Sequence, residues 1–372
     1  MKILIAGDFA PRCRVSQLIE RKEYKSIFGN IRDFIIEEND YSIVNLESPI
    51  VLGNAKPIRK TGPNLKAPIE VLDAITYAGF NGVTLANNHF YDYGEVGVND
   101  TIKSCISKHV DFVGGGSSIE KARKILYKNI ANKKVAFVNF CENEWSIASD
   151  KNGGSAPLKL VDNYYDIVDA KKNADYVIVI VHGGKEYYQL PLPRMQKTYR
   201  FFVDIGADFV VNHHQHCFSG YEKYNGKYIF YGLGNFCFDA DNKRNGMWNE
   251  GFLLQLIIED SISFKLIPYI QCNNIPQIEP MQDKKRDAFF HFIEELNTII
   301  SDEGKLEHEF FSLVNKINNR MLNFLEPYDN RILMALRSRH MLPSFLTRRK
   351  KDLILNLFRC ETHRDVLLNL LK

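Results

Sequence analysis

Short hydrophobic runs alternate with amphipathic stretches up to about residue 270 of this chain of 372 residues. Most runs are rich in Val, Ile, Phe and Tyr and contain few polar positions, as expected for strands covered on both faces. Between them lie helix candidates such as Ile69–Ala78, which Pro68 precedes and Gly79 follows. This alternation predicts an α/β fold with a largely parallel sheet. The predicted strands are Lys2–Ala6, Tyr41–Leu46, Gly82–Ala86, Lys134–Phe140, Tyr176–Val181, Asp208–Val211 and Lys227–Tyr231, and the further helices are Gly94–His109, Asp162–Lys172 and Pro193–Gly206.

The pattern changes near Met281. The stretch from Trp248 to Tyr269 predicts a closing β-hairpin, and hydrophobic residues then recur at helical spacing. We therefore predict an α/β domain over residues 1–278 and a helical C-terminal extension over residues 279–372. The predicted helices of the extension are Asp283–Ile300, Lys305–Leu325, Asn330–Leu336, Arg348–Phe358 and Thr362–Leu371.

Charge is distributed unevenly, although the formal net charge is only +3. Residues 331–372 contain ten Lys and Arg against three Asp and Glu, which gives +7 there and leaves −4 for the rest. Within this region Arg348–Phe358 predicts a basic amphipathic helix. Such a helix could contact an anionic membrane surface or an acidic polymer, or it could pack its apolar face on its own domain. The sequence contains no nucleic-acid-binding motif.

Composition and cysteine usage are those of an ordinary globular protein from a reducing compartment. Hydrophobic residues make up 45% of the chain and charged residues 25%. The seven cysteines are scattered and odd in number, so we expect no disulfide framework. The apolar run after Met1 is shorter than that of a signal peptide, and no segment reaches the roughly 20 apolar residues of a spanning helix. We therefore expect a cytoplasmic protein.

Polar side chains follow six of the predicted strands, at the point where each strand ends. In an open α/β sheet the loops at the carboxyl ends of parallel strands converge on one crevice. The residues delivered there include carboxylates, asparagines and imidazoles, a mixture that suits Zn, Mn or Fe better than Ca or Mg alone. The side chains of His214 and His216 project to the same side of an extended backbone, so this pair could hold one metal or straddle two. The residues at strand ends are Asp8, Glu47, Asn87, Asn88, His89, His182, His213, His214, His216 and Asn235.

Five sequence blocks between Gly7-Asp8 and Asp239 follow one another in a characteristic order. They are Asn45-Leu46-Glu47-Ser48-Pro49, Ala86-Asn87-Asn88-His89 with Asp92-Tyr93-Gly94, His182-Gly183-Gly184-Lys185-Glu186, Gly206-Ala207-Asp208 with His213-His214-Gln215-His216, and Tyr231-Gly232-Leu233-Gly234-Asn235-Phe236. Together they resemble the capsule-biosynthesis CapA family, also called the poly-γ-glutamate biosynthesis family, a branch of the calcineurin-like metallophosphoesterase superfamily. The resemblance implies a calcineurin-like metallophosphoesterase sandwich of two β-sheets flanked by helices. The C-terminal helical extension lies outside it.

The resemblance also implies two divalent metal ions, Mn, Fe or Zn, that share a bridging carboxylate and an attacking hydroxide. Glu47 takes the place of the usual bridging aspartate, and His89 would orient or protonate the leaving group or the phosphoryl oxygen. His213 has no implied ligand role. The remaining implied ligands are Asp8 and His216 for one metal, and Asn88, His182 and His214 for the other.

Two positions depart from the pattern that the resemblance implies. The histidine expected two residues after Asp8 is Ala10 here, so the first metal is expected to lack one protein ligand. The tryptophan that is common after the motif histidine is Gly183.

Three further residues are candidates for substrate contacts. Lys60 lies in a loop flanked by Gly and Pro, where it could meet an anionic substrate or simply be solvated. Glu186 follows the His182 loop and could line the cleft. Asn235 could hydrogen-bond to the ligand loops or serve a structural turn.

The resemblance implies hydrolysis of a phosphomonoester or phosphodiester in the biosynthesis of a capsule or surface polymer. The same metal site could instead cleave an amide or γ-glutamyl linkage of a poly-γ-glutamate-like polymer, since both reactions need an electrophilic centre. A third hypothesis, which Ala10 favours, is a non-catalytic component of polymer assembly. The expected partner is therefore an anionic phosphate ester or an acidic polymer.

Overall fold

A computed structural model describes residues 1–371, except for the side chains of residues 319, 320, 361 and 369. The chain divides into two compact units, of which the first is Met1–Leu306 and the second begins at Glu307. The predicted α/β domain of residues 1–278 lies within the first unit, which also includes the helix Asp283–Ile300. The predicted boundary at 278/279 stays a prediction.

Each predicted strand and helix has a counterpart in the described residues. The strands are β1 Lys2–Ala10, β2 Tyr41–Leu46, β3 Gly82–Thr84, β4 Asp111–Val113, β5 Gly115–Gly116, β6 Leu126–Ile130, β7 Lys133–Cys141, β8 Gly154–Ser155, β9 Tyr176–His182, β10 Phe209–His213, β11 Tyr221–Tyr224, β12 Lys227–Phe230, β13 Asn235–Phe238, β14 Glu250–Ile258, β15 Ile262–Gln271 and β16 Ile278–Pro280. The helices are α1 Cys13–Glu20, α2 Tyr24–Phe28, α3 Ile31–Glu37, α4 Glu70–Ala78, α5 Gly94–Ser107, α6 Ile119–Ala122, α7 Leu160–Asn173, α8 Pro193–Asp204, α9 Asp283–Ile300, α10 Glu303–Asn323, α11 Arg331–Ser338, α12 Arg348–Arg359 and α13 Glu361–Leu370. The structure adds elements that were not predicted from the sequence, namely β4, β5, β6, β8, β11, β13, β16, α1, α2, α3 and α6.

Within residues 1–371 these strands form two main sheets and one short pair. The larger sheet has the order β16-β15-β14-β1-β2-β3-β4, with β13 also pairing with β1, and the smaller sheet has the order β11-β12-β10-β9-β7-β6. In each sheet the central strands are parallel, namely β1–β4 in the larger and β7, β9, β10 and β12 in the smaller. The predicted closing hairpin is formed by the antiparallel pair β14 and β15.

Strand β1 shows why its residues are apolar on both faces. Ile3 and Ile5 belong to the core cluster that also contains Phe137 of β7, so this face packs toward the smaller sheet. Leu4 and Ala6 point the other way, into the cluster that contains residues of helix α4. Helices α7 and α8 pack on strands of the smaller sheet. The predicted α/β sandwich of two sheets flanked by helices is therefore confirmed.

Local signals are confirmed where they are strongest. Gly79 ends α4 with φ of 101°, the left-handed conformation that a helix C-terminus favours and that glycine adopts without steric penalty. Strand β1 differs from its prediction because it runs on past Ala6 to Ala10. Its pairing register with β2 shifts between Ala6 and Asp8, so the strand is irregular at the position of the first candidate ligand.

The second unit is helical, as predicted for this part of the chain. None of the residues of α12, all of which the structure describes, is buried. Its hydrophobic side chains face solvent, with Leu353 55%, Leu355 45% and Phe358 54% exposed. No helix among the described residues combines the length and apolar character that crossing a membrane requires. The predicted contact of the basic helices with a membrane surface stays a prediction.

Candidate metal centre

Polar side chains from both sheets lie close together at the carboxyl ends of parallel strands. From the larger sheet come Asp8 in the irregular part of β1, Glu47 directly after β2, and Asn88 in the loop after β3. From the smaller sheet come His182 at the end of β9 and the segment that follows β10. The predicted ligands thus meet at the carboxyl ends of parallel strands, as expected for this class of fold.

The structure contains two groups of side chains that could each hold a metal ion, and Glu47 belongs to both. In each group the candidate ligand atoms lie within 4.8 Å of one another, and all of the residues are buried. The first group is Glu47, His182 and His214, and the second is Asp8, Glu47 and His216. This division is the one that the resemblance implies, with Glu47 in the bridging position.

In the first group, atoms that carry lone pairs converge. His182 Nε2 lies 3.1 Å from Asn88 Oδ1 and 3.1 Å from His214 Nδ1. It also lies 3.7 Å from Glu47 Oε1. One N–H can satisfy only one of these contacts, whereas a cation satisfies all of them. Asn88, Glu47 and the two imidazoles therefore fit a divalent metal.

In the second group, His216 bridges two carboxylates. Its Nε2 lies 3.7 Å from Glu47 Oε1, and its Nδ1 lies 3.6 Å from Asp8 Oδ2. The same Nδ1 is 2.9 Å from Asn235 Oδ1, to which an N–H there would donate. This contact would leave Nε2 as the free lone pair that faces Glu47.

The carboxylate of Glu47 is the most informative group of the site. The side chain is completely buried, and neither of its oxygens accepts a hydrogen bond from any residue that the structure describes. Burial, followed by the charge of Asp8, raises the pKa of Glu47 well above its usual value. An ionised carboxylate in such a place needs a compensating positive charge.

The imidazoles have different pKa values because of their different surroundings. Burial lowers the pKa of His182, and it lowers the pKa of His214 to about 4, so both rings are neutral and can act as ligands. Burial also disfavours the charged form of His216, but the carboxylates of Glu47 and Asp8 outweigh it and raise the pKa of His216 to about 9. Without a cation, the cluster therefore holds at least one proton at neutral pH.

The backbone around the two ligand histidines is strained. His214 has φ of 91° and His216 has φ of 55°, a region that residues with a Cβ rarely adopt. The amide of His214 donates to Asp8 Oδ2 at 3.2 Å, which helps to hold this conformation. Non-glycine residues in this region are concentrated at functional sites, where the surrounding structure enforces them.

Sequence reasoning assigned no role to Asn45, although it is a polar residue inside a buried strand. Its amide Nδ2 donates to Asp8 Oδ1 at 2.7 Å and lies 3.3 Å from His182 Nδ1. Its Oδ1 accepts hydrogen bonds from Thr84 and Asn87. Asn45 therefore orients one candidate ligand from each sheet.

His89 faces the metal-ligand cluster on one side and a carboxylate on the other. Its Nε2 lies 4.0 Å from Glu47 Oε1, and its Nδ1 lies 2.6 Å from Asp92 Oδ2. Burial lowers the pKa of His89, although Asp92 opposes this effect. The neutral ring would donate Nδ1–H to Asp92 and present Nε2 to the cluster.

The side chain of Lys60 is buried, so the solvated loop, one of its two predicted environments, is wrong. Its side chain is 2% exposed and forms an ion pair with Asp92, whose side chain is completely buried. The ammonium also lies 3.2 Å from His89 Nδ1. Since the amide of Leu65 donates to Asp92 as well, this carboxylate fixes the loop around Lys60 to His89. The charge of Lys60 is therefore directed at Asp92, and a contact between Lys60 and a substrate stays a prediction.

The other two predicted substrate residues have separate positions. Asn235 is completely buried, its Oδ1 lies 2.9 Å from His216 Nδ1, and its Nδ2 donates to the carbonyl of Trp248 at 3.1 Å. It thus contacts a candidate ligand, as one of its two predicted roles requires, and a contact with substrate stays a prediction. Glu186 is partly exposed, and its negative charge acts on Glu47 and on His216. Of the two, only Glu186 is partly exposed, and its contact with a substrate stays a prediction.

Both departures from the expected pattern have a physical reason. Ala10 is completely buried in a hydrophobic cluster with Leu65, Phe238 and Trp248. At Gly183, an added Cβ would lie 2.6 Å from the side chain of Glu142, so a tryptophan does not fit without a rearrangement. The surroundings of both residues are thus matched to the smaller side chain.

Roughly the first two thirds of the chain are similar to known proteins of bacterial capsule synthesis. The family model described as "Bacterial capsule synthesis protein PGA_cap" matches residues 2–240. The capsule biosynthesis protein CapA of Bacillus anthracis is 34% identical over 247 residues, which are 64% of this chain and 60% of the relative. The PGA biosynthesis protein CapA of Bacillus subtilis (strain 168) is 34% identical over 236 residues, which are 63% of this chain and 62% of the relative. The aligned region thus spans less than two thirds of either Bacillus protein.

Among solved structures, a 5'-nucleotidase from Candida albicans SC5314 has a TM-score of 0.40 and 9% sequence identity, and the match covers 85% of this chain and 58% of that chain. The family model, in contrast, matches more than half of this chain and includes all six candidate ligands. The chain therefore belongs to the bacterial capsule synthesis protein family PGA_cap.

Proposed function

We propose that the chain is a metal-dependent hydrolase that cleaves a phosphomonoester or phosphodiester during the synthesis of a capsule or surface polymer. The observation that carries this proposal is the carboxylate of Glu47. It is buried, accepts no hydrogen bond within the described part of the chain, and lies 3.7 Å from imidazole nitrogens of both His182 and His216. A centre that binds cations between these groups would remove the electrostatic penalty of burying the carboxylate.

Two divalent cations, of which Mn, Fe and Zn suit this set of donors, would share Glu47. When bound, they would supply charge stabilisation for a phosphoryl oxygen and activate a water molecule as the nucleophile. The second group lacks a ligand at Ala10, so we expect weaker binding there than in the first group. The residues that would hold the cations are Asp8, Glu47, Asn88, His182, His214 and His216.

The residues around the cluster have roles that follow from their contacts. His89, held at Nδ1 by Asp92, would transfer a proton at Nε2 between the reacting group and the site. Asn45 and Asn235 would fix the orientation of Asp8 and His216. Their hydrogen bonds prepare the site before any ligand binds, which avoids reorganisation during the reaction.

The biological setting is inferred from the relatives. Two of them are named for capsule and PGA biosynthesis, so an acidic polymer or its precursor is the substrate class that we propose for this chain. The names also favour the second candidate, hydrolysis of an amide or γ-glutamyl bond, since the same centre could polarise a carbonyl oxygen. Ala10 favours the third candidate, a non-catalytic assembly component.

One set of assays separates the three candidates. The full chain, purified without chelators, is analysed for metal and then assayed on p-nitrophenyl phosphate, bis-p-nitrophenyl phosphate and γ-glutamyl p-nitroanilide. We expect at least one equivalent of metal per chain and hydrolysis of a phosphate ester that chelation abolishes. Hydrolysis of the anilide alone would establish the second candidate instead. Bound metal without turnover of any substrate would favour the third, and less than one equivalent of metal would refute the metal centre itself.

A matched pair of variants ties the activity to the site. Glu47→Gln removes the shared carboxylate, whereas Glu279→Gln makes the same change at an exposed position in β16. We expect E47Q to lose at least about a hundredfold in kcat, the range found when a preorganised charge-stabilising group is removed. The E279Q variant should retain the activity of the original chain. Equal activity of the two variants would show that hydrolysis comes from another site or from a contaminant.

A further inference from the structure

His216 is surrounded by aromatic rings on the side away from its carboxylates. Its ring centroid lies 4.9 Å from that of Trp248, 5.3 Å from that of Phe238 and 6.3 Å from that of Tyr187. Tyr187 and Trp248 also stack on each other at 5.9 Å with an angle of 26° between their planes. These rings form an aromatic wall beside one of the candidate ligands.

Tyr187 is exposed to solvent and has an unfavourable backbone conformation in this aromatic wall. The side chain is 43% exposed, so it is not part of the hydrophobic core. Its backbone has φ of 60°, in the left-handed region that is unfavourable for an aromatic residue. The amide of Tyr187 donates to the carbonyl of Gln215, which is adjacent to His216 in the chain, and this bond fixes the ring beside the site. A strained and exposed aromatic residue at the edge of a site indicates a functional contact.

The side chain of Lys243 lies beside two rings of the aromatic wall. The ammonium nitrogen of Lys243 lies 4.6 Å from the centroid of the Tyr187 ring and 5.9 Å from that of Trp248. Among the residues that the structure describes, no carboxylate lies within 4.0 Å of it. The neighbouring Arg244, in contrast, is paired with Asp239 at 3.1 Å. Lys243 thus presents a charge that is positioned by aromatic rings and has no counter-ion of its own.

We propose that Lys243 and Tyr187 form a subsite that binds a second anionic group of the substrate, beyond the bond that reacts. The inference rests on the proposed function, since it places the reacting group at the cluster that contains His216. A cation held over an aromatic face and without a protein partner can accept a carboxylate or a phosphate oxygen. The preferred substrates are therefore polyanions, and an ester with only the reacting phosphate lacks this contact.

Trp248 provides a direct readout of the subsite. The chain contains two tryptophans, so Trp145→Phe leaves Trp248 as the only one. In this background the full-length protein is titrated at constant ionic strength with a γ-linked glutamate octamer, inorganic tripolyphosphate or acetate, and the tryptophan emission is followed. We expect saturable binding of at least one polyanion and none of acetate. The octamer distinguishes a carboxylate subsite, and tripolyphosphate a phosphate subsite.

Two substitutions test the role of the lysine. Lys243→Met removes the charge beside Tyr187, and we expect the Kd of the polyanion to rise at least about tenfold, as for the loss of a charge-assisted contact. Lys134→Met is the matched control, because Lys134 lies 4.8 Å from the ring centroid of Tyr127. This control should bind as tightly as the W145F parent. Lys243→Arg should restore most of the affinity.

The outcomes separate this subsite from the hydrolytic function. An unchanged Kd in K243M, an equal loss in K243M and K134M, or no saturable response to either polyanion would overturn the subsite. Turnover of phosphate esters is measured on the same W145F protein. Polyanion binding that depends on Lys243 without any turnover would refute the hydrolase and support the subsite. Turnover without such binding would support the hydrolase and refute the subsite.

Discussion

The substitution Glu47→Gln should stabilise the protein in the absence of metal while abolishing its stabilisation by metal. Glutamine has nearly the shape of glutamate but carries no charge. Glu47 is completely buried and neither oxygen accepts a hydrogen bond within the described residues, so its ionised form is destabilising when no cation is bound. The same carboxylate becomes favourable once a cation lies between it and the imidazoles. A change of sign between the two conditions is the signature of a metal ligand.

The size of the effect follows from the contacts of Glu47. A buried polar group without a partner costs about 1–3 kcal/mol, and more if it is charged. The glutamine amide can donate an N–H to His182 Nε2 and accept at its oxygen from protonated His216 Nε2, and both nitrogens lie 3.7 Å from the Glu47 Oε1 position. His216 loses one of its two carboxylates but keeps Asp8 at 3.6 Å, which subtracts part of the gain. We expect a net increase of about 1–2 kcal/mol in the free energy of unfolding with a chelator at pH 8.

The pH dependence has a defined sign. Burial raises the pKa of Glu47 in the folded state above the ordinary value of 4.5. The loss of stability that Glu47 causes is therefore absent below pH 4.5. It grows as the pH rises, because Glu47 loses its proton at a lower pH in the unfolded chain than in the folded one. Since glutamine does not titrate, the advantage of E47Q over the original chain should widen between pH 5 and pH 8.

Urea unfolding in EDTA and in excess Mn²⁺ measures both effects. At a metal concentration one hundred times the Kd of a site, the original chain should gain about 2.7 kcal/mol for each site that fills. E47Q should gain much less, and E279Q should behave like the original chain. If E47Q were less stable than the original chain in EDTA and still gained fully from Mn²⁺, Glu47 would be a structural residue and not a metal ligand.

Three further predictions concern Lys60, His216 and the basic helix α12. Lys60→Met leaves Asp92 charged and buried, so it should lower the free energy of unfolding by about 3–5 kcal/mol. In a double-mutant cycle, K60M/D92N should recover part of that loss. A K60M variant as stable as the original chain would contradict the buried ion pair. Because the carboxylates raise the pKa of His216 to about 9, binding of Mn²⁺ should release at least one proton at pH 7 and should weaken as the pH falls from 9 to 6. Calorimetry in buffers of different ionisation enthalpy would detect the released proton. Equal heats of binding in all buffers would exclude its release. Since the apolar side chains of α12 are exposed, the full chain should sediment with vesicles that contain anionic lipid. Replacing the four cations at 348–351 with glutamine should lower the bound fraction at least about tenfold. Equal sedimentation of both proteins would refute the membrane contact.

The sequence carried enough information to predict which ligand residues meet, because that depends on sheet topology. Asp8 lies near the end of β1 and Glu47 directly follows β2, its parallel neighbour, while His182 ends a strand that pairs in register with the one before His214. Strand order and the rule that ligands gather at carboxyl ends of parallel strands bring these residues together. The burial of Lys60 and the side of His216 on which the Asn235 amide lies could not be predicted in the same way, since the first depends on how a loop folds back and the second on local side-chain packing. Neither property leaves a periodic signal in the sequence.

The positions that prediction missed share one physical feature. Asn45 and Asp92 are almost completely buried polar residues that hydrogen-bond to a candidate ligand or to His89. Asn235 has the same character, and its hydrogen bond toward His216 is one of the two roles that the sequence predicts for it. In a strand or a loop, such residues look like ordinary turn or cap residues until their partners are known. Their burial identifies them, because each needs several hydrogen bonds to offset its desolvation. The centre is thus built in two layers, in which carboxylates and imidazoles that repel or crowd one another are held in place by amides and by the Asp92–Lys60 pair. Such a cluster is unfavourable by itself, and a cation among the ligand atoms is what would make it favourable.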